Sequence, residues 1–139
     1  MSFRRLPDGG SAINRSKPVS FSFDGKPVAG FKGDTVASAL LANGVRLVGR
    51  SFKYHRPRGV LTAGSEEPNA LIGPQRGRPD RFEPNTRATM QEVWEGLTTE
   101  SQNKWPTLAS DVGAINDRLY MLFSPGFYHK TLIWSKSFW

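Results

Sequence analysis

The chain has 139 residues, a formal net charge of +7 and no cysteine. Its length suits one domain whose core needs no disulfide or metal staple, and the missing thiols exclude structural disulfides, thiolate nucleophiles and Cys-ligated zinc or iron–sulfur centres. The excess of Lys and Arg, 19 against 12 Asp and Glu, brings anionic partners, nucleic acid included, into consideration.

Residues 1–17 are polar, basic and rich in Gly and Ser, and read as a flexible arm that orders only on a partner. From Val19 the pattern VSFSFDG alternates, with Val19, Phe21 and Phe23 on one face, and ends in the turn dipeptide Asp24-Gly25. A second strand over Pro27 to Phe31 should pair with it as a hairpin. Asp34 or Thr35 then caps a helix in which Val36, Ala37, Leu40 and Leu41 recur at helical spacing, until Asn43-Gly44 stops it. A loop and the apolar run Asn69 to Ile72 follow. This order predicts an α+β fold, a β-grasp sheet of the ferredoxin-like or ubiquitin-like kind that covers one main helix.

Beyond Gly73 the sequence PQRGRPDRFEPN has no period and reads as a loop or strand edge. Thr86 to Leu97 is expected to hold a short strand and then a helical turn around Val93, Trp94 and Leu97. After Trp105-Pro106 come an expected helix from Asp111 to Leu122 and an aromatic run from Phe123 to Trp134. The expected organisation is a basic arm at 1–17, a β-grasp domain at 18–92, and an aromatic-rich, helical and irregular extension at 93–139. With its four tryptophans in the last third, that extension should present part of its apolar surface to a partner. The first thirty residues lack the apolar run of a signal peptide, and no stretch approaches the roughly 18 apolar residues of a membrane span. A soluble, cytoplasmic protein is expected.

Chemistry concentrates in GRSFKYHRPRGVLTAGSEEPNAL, Gly49 to Leu71. Thr62, Glu67 and Ala70 stand at the C-x4-C-x2-C offsets that hold a 2Fe–2S centre in plant-type ferredoxins. None is a thiolate, and a hydroxyl plus one carboxylate cannot replace three soft ligands. These are degenerate ligand positions, and no metal is expected there. Arg46, Arg50, Lys53, Arg56 and Arg58 fall within thirteen positions without an acid, interleaved with Phe52, Tyr54 and His55. The segment is a candidate anion site, serving nucleic acid, an acidic partner surface or a cofactor phosphate. Glu66-Glu67, just before Pro68, reads as a solvated turn or as partners for Arg56 or Arg58. His55 and His129 are too few for a metal site and read as structural or solvent-facing. Neither G-x-G-x-x-G after a strand nor a Walker lysine loop occurs. No catalytic residue is assigned.

The succession FSFDG, GDTVASALLANGV, VGRSFKYHRPRGV, AGSEEPNAL, NTRAT, SQNKWPTL and PGFYHKTLIW resembles the amino-terminal segment of the alpha subunit of bacterial heterotetrameric sarcosine oxidase. The resemblance runs in order over almost the whole chain. It implies a piece of a longer subunit that leads toward a dinucleotide-binding domain, and a cluster-type β-grasp module without its cluster. For the parent complex it implies oxidative demethylation of sarcosine to glycine with oxygen, giving hydrogen peroxide and, with tetrahydrofolate, 5,10-methylenetetrahydrofolate. The implied cofactors are FAD, FMN, NAD and tetrahydrofolate, all held outside these residues. The implied partners are the rest of the alpha subunit and the beta, gamma and delta subunits. Three readings stand side by side: a noncatalytic structural or docking domain, with Arg50, Lys53, His55, Arg56 and Arg58 contacting other domains or a cofactor phosphate; an independent nucleic-acid-binding module; and an electron carrier, which the absent cysteines disfavour.

Overall fold

A computed structural model describes residues 5–78 and 81–121. The expected aromatic run, His129, Trp134 and Trp139 lie outside the described residues. Strand β1 (Asn14–Phe23) and strand β2 (Lys26–Lys32) form an antiparallel hairpin closed at Phe23↔Lys26. Asp24 and Gly25 have φ values of +50° and +74°. Positive φ at both central residues gives the turn whose twist matches that of the strands it joins. The alternation read in the sequence puts Phe21 and Phe23 in the core, where each contributes about 2–3 kcal/mol by leaving water.

Helix α1 (Val36–Ala42) crosses the hairpin. Thr35 and Ser38 form a reciprocal capping box, and Asn43 ends the helix ahead of Gly44, whose φ is +79°. The buried stripe consists of Val36, Ala37, Ala39, Leu40 and Ala42, whereas Leu41, expected in it, is exposed. Gly30 lets the helix approach β2, because a Cβ there would stand 3.3 Å from the Ala39 Cβ.

The residues before β1 are less free than the sequence suggests. Asp34 has no exposed surface, and its carboxylate accepts hydrogen bonds from both terminal nitrogens of Arg5 (2.9 and 2.7 Å), the Phe31 amide (2.9 Å) and the Ser38 hydroxyl (2.7 Å). The Arg5 guanidinium also lies 5.3 Å from the Phe31 ring centroid. Within the segment expected to order only on a partner, Arg5 is thus tied to the domain itself, and Asn14 to Lys17 already belong to β1.

Two short hairpin strands, β3 (Gly49–Arg50) and β4 (Pro57–Arg58), stand apart from the main sheet. Strands β5 (Leu71–Pro74), β6 (Thr86–Arg87) and β7 (Thr98–Ser101) complete that sheet, in the order β2-β1-β7-β5-β6. β7 runs parallel to β1 and antiparallel to β5, so the sheet centre comes from residues beyond the boundary expected at 92. The expected helical turn around Val93 to Leu97 is a tight turn leading into β7, in which Gly96 has a φ of +79°. Sequence TTES gives little hydrophobic signal, and polar partners compensate its burial. The Thr99 hydroxyl donates to the Ser22 carbonyl (2.9 Å), and the amide and hydroxyl of Ser101 donate to the Asp24 carboxylate (2.8 and 2.7 Å). This mixed sheet over one main helix is the β-grasp architecture that the element order predicts. The expected helix from Asp111 is shorter, a 3-10 turn at Val112–Ala114 followed by α2 (Ile115–Arg118). No helix among the described residues is long and apolar enough to cross a membrane.

A chain ended at residue 92 lacks the strand that joins β1 to β5. We expect its amide NMR spectrum to collapse to the narrow dispersion of an unfolded chain, while a chain ended at residue 121 keeps native dispersion. Equal dispersion in the two would show that β7 is dispensable.

Candidate functional site

Glu67 organises the loop between β4 and β5. It follows a bend and a turn and precedes Pro68, so the backbone folds back on its side chain instead of continuing as a strand. Residue Glu67 has no exposed surface. Its Oε2 accepts from the amides of Leu61 (2.8 Å) and Thr62 (2.6 Å), and its Oε1 from those of Asn69 (2.7 Å) and Ala70 (3.0 Å). The expected solvated acidic turn is realised at Glu66 alone, which is exposed; Glu67 pairs with neither Arg56 nor Arg58.

Burial opposes ionisation of Glu67, but the amides of Thr62, Asn69, Ala70 and Leu61 outweigh it and lower its pKa from 4.5 to about 2. Neighbouring contacts brace the loop from outside. Arg87 Nε donates to the Glu67 carbonyl (3.1 Å), the Thr89 hydroxyl to the Gly64 carbonyl (2.7 Å), and the Ala88 amide to the Ala70 carbonyl (2.8 Å).

The three degenerate ligand positions are therefore brought together. The amides of Thr62 and Ala70 both point at the carboxylate of Glu67, while the Ala70 methyl packs in the hydrophobic core. These residues do not fit a 2Fe–2S centre. One position has no donor atom, a second offers a hydroxyl, and the carboxylate of the third is already saturated by backbone N–H groups. Among the described residues no group of three or more His, Asp or Glu side chains is placed to hold a metal.

The basic segment divides into an inward and an outward set. Arg50 and His55 turn inward. Arg50 Nε donates to the Leu108 carbonyl (2.9 Å) and its Nη1 to the His55 carbonyl (2.7 Å), while His55 Nδ1 lies 2.8 Å from Asp111 Oδ1. The buried carboxylate of Asp111 also accepts from the Trp105 amide (2.8 Å). The His55 ring covers Gly113, where a Cβ would meet Nδ1 at 2.4 Å. The contacts of Arg50 and His55 thus fasten residues 105–113 of the same chain, and sequence reasoning missed Asp111 because its partner lies 56 positions away.

Lys53, Arg56 and Arg58 line a cleft of about 660 Å³ beside the β3–β4 hairpin. Arg56 Nε pairs with Asp117 Oδ1 (2.6 Å), and its guanidinium lies 4.8 Å from the Tyr54 ring centroid. The Lys53 ammonium is 5.4 Å from the same ring, and Arg58 donates to Asn69 Oδ1 at 3.0 Å.

Fold and loop together define a ferredoxin-type domain whose loop between β4 and β5 closes around a buried carboxylate. The chain belongs to the family of 2Fe-2S iron-sulfur cluster binding domains, whose model matches residues 16–104. Over all 139 residues it is 60% identical to the sarcosine oxidase subunit alpha of Rhizobium meliloti (strain 1021), and over 108 residues, 77% of the chain, 43% identical to that of Corynebacterium sp. (strain U-96). The chain spans 14% and 10% of the length of these relatives. Among solved structures it is similar to the L-proline dehydrogenase of P. horikoshii, with a TM-score of 0.52 and 25% identity, over 66% of this chain and 17% of that one.

A carboxylate whose pKa falls on folding contributes stability that is complete above about pH 4.5 and is lost as pH falls toward about 2, in total about 3 kcal/mol. Glu67→Gln keeps the size, removes the charge and turns an NH2 toward backbone donors. We expect it to lower urea-unfolding stability at neutral pH by about 3 kcal/mol and to flatten the pH dependence across that window. An unchanged acid limb would show that Glu67 is not the titrating group.

Proposed function

We propose that this domain is a noncatalytic structural and docking module of a sarcosine oxidase alpha subunit. The observation that carries the reading is the cluster-type loop closed around Glu67 in a chain 60% identical to such a subunit. In this role the loop transfers no electrons. It serves as a rigid corner between the sheet and the β3–β4 hairpin, which in turn fastens residues 105–113.

The parent complex, on this reading, oxidises sarcosine to glycine with oxygen as acceptor. Hydrogen peroxide is released, and the one-carbon unit passes to tetrahydrofolate. FAD, FMN and NAD belong to other parts of a cytoplasmic heterotetramer of alpha, beta, gamma and delta subunits, and the module contributes surface to its assembly. A row of apolar side chains supports the docking role: Val112, Ile115 and Leu119 recur at helical spacing and are 55%, 56% and 40% exposed, with Tyr120 and Met121 beside them at 55% and 84%.

The complete alpha subunit carrying Ile115→Glu and Leu119→Glu, co-expressed with its partner subunits, tests this reading. Both side chains are exposed in the domain, so we expect its own unfolding stability to change by less than about 0.5 kcal/mol. Recovery of assembled complex should fall, while turnover per assembled complex is kept. Normal assembly of the double variant would remove the docking role from this face.

A further inference from the structure

Independently of the docking role, we infer that the cleft between the β3–β4 hairpin and residues 68–71 binds a phosphorylated aromatic small molecule of the nucleotide type. Lys53, Arg56 and Arg58 line it together with the inward-turned Arg50, and no Asp or Glu does. Its volume of about 660 Å³ lies within the range usual for small-molecule sites.

Such a ligand needs a cationic end for its phosphates, an apolar surface for its ring and hydrogen-bonding groups for the ring edge. Arg58 supplies the first. Its guanidinium is exposed, donates one hydrogen bond to Asn69 Oδ1 at 3.0 Å and pairs with no carboxylate among the described residues. Arg56 lies two positions away, and its ion pair with Asp117 is half-exposed on both sides, the kind that a phosphate displaces at little cost. Phe52, 69% exposed on the cleft wall, supplies the apolar surface. Amides supply the edge contacts: Gln102 and Asn103 line the wall, and Asn103 uses its Nδ2 on the Arg50 carbonyl while its Oδ1 is left to accept.

The division of the basic segment argues against a polymer. Binding along a nucleic-acid strand calls for cations spread over an extended track. Here Arg50 is engaged by the Leu108 and His55 carbonyls and His55 by Asp111, while Lys53, Arg56 and Arg58 line one concave wall and Arg46 lies outside it.

Calorimetric titration of the 139-residue chain with ADP, adenosine, inorganic pyrophosphate and a twelve-residue oligothymidylate, at physiological salt, tests the site. ADP should bind one to one, pyrophosphate more weakly and adenosine most weakly. R58Q, with its fold checked by amide NMR, should weaken ADP binding by at least about tenfold, the loss expected for a charge-assisted hydrogen bond. Phe52→Ala, which removes an exposed ring, should weaken ADP several-fold and leave pyrophosphate unchanged. Three outcomes would overturn the inference: no ADP binding up to millimolar concentration, equal binding of ADP and pyrophosphate with no effect of F52A, or preference for the oligonucleotide. The assembly experiment above responds to none of these outcomes, so the two readings fail separately.

Discussion

Four backbone N–H groups converging on the buried carboxylate of Glu67 are the constraint from which the functional half of this domain is built. A loop that wraps an anion must either solvate its inward-pointing amides or satisfy them, and burial removes the first option. In a ferredoxin-type domain a cluster and its thiolates meet that demand. Here one acidic side chain meets it, with the amides of Leu61, Thr62, Asn69 and Ala70 as its partners. The loop is thereby closed by its own side chain, and β5 begins at Leu71 in register with β7 on one side and β6 on the other.

That closure sets the position of the basic segment. Arg58 at the end of β4 reaches Asn69, whose own amide is bound to Glu67, so the cleft and the loop share a wall. Asp111 anchors the far side of the segment by accepting from Trp105 and pairing with His55. The same short stretch of sequence therefore does two things. Its inward residues fasten residues 105–113 to the domain, and its outward residues leave positive charge concentrated around a concavity.

Much of the fold was legible because its signals are local. The alternation of Val19, Phe21 and Phe23, the Asp24-Gly25 turn, the cap at Asp34 or Thr35, which Thr35 forms, and the Asn43-Gly44 stop each act within a few residues, and each appears where the sequence puts it. β7 was hidden because Thr98–Ser101 has no apolar period; its place between β1 and β5 rests on hydrogen bonds to Ser22 and Asp24, 77 positions away. The amino-terminal arm was misjudged for a related reason, since only the folded chain shows that Arg5 meets a fully buried Asp34. At the site, the spacing drew attention to Thr62, Glu67 and Ala70, which the fold brings together around one carboxylate. It did not reveal the burial of Glu67, because adjacent acids before a proline look the same in a solvated turn. The five-residue basic cluster likewise hid its division, which depends on the distant acceptors Leu108 and Asp111.

The central claim is that an ionised Glu67 holds the cluster-type loop, and the most direct test is the side-chain carboxyl carbon shift of Glu67 followed by NMR as pH is lowered. At about pH 4, where an ordinary glutamate is more than half protonated, the account predicts a fully ionised Glu67, with the Leu61, Thr62, Asn69 and Ala70 amides still protected from exchange. A midpoint at or above 4.5, the ordinary value, would contradict it.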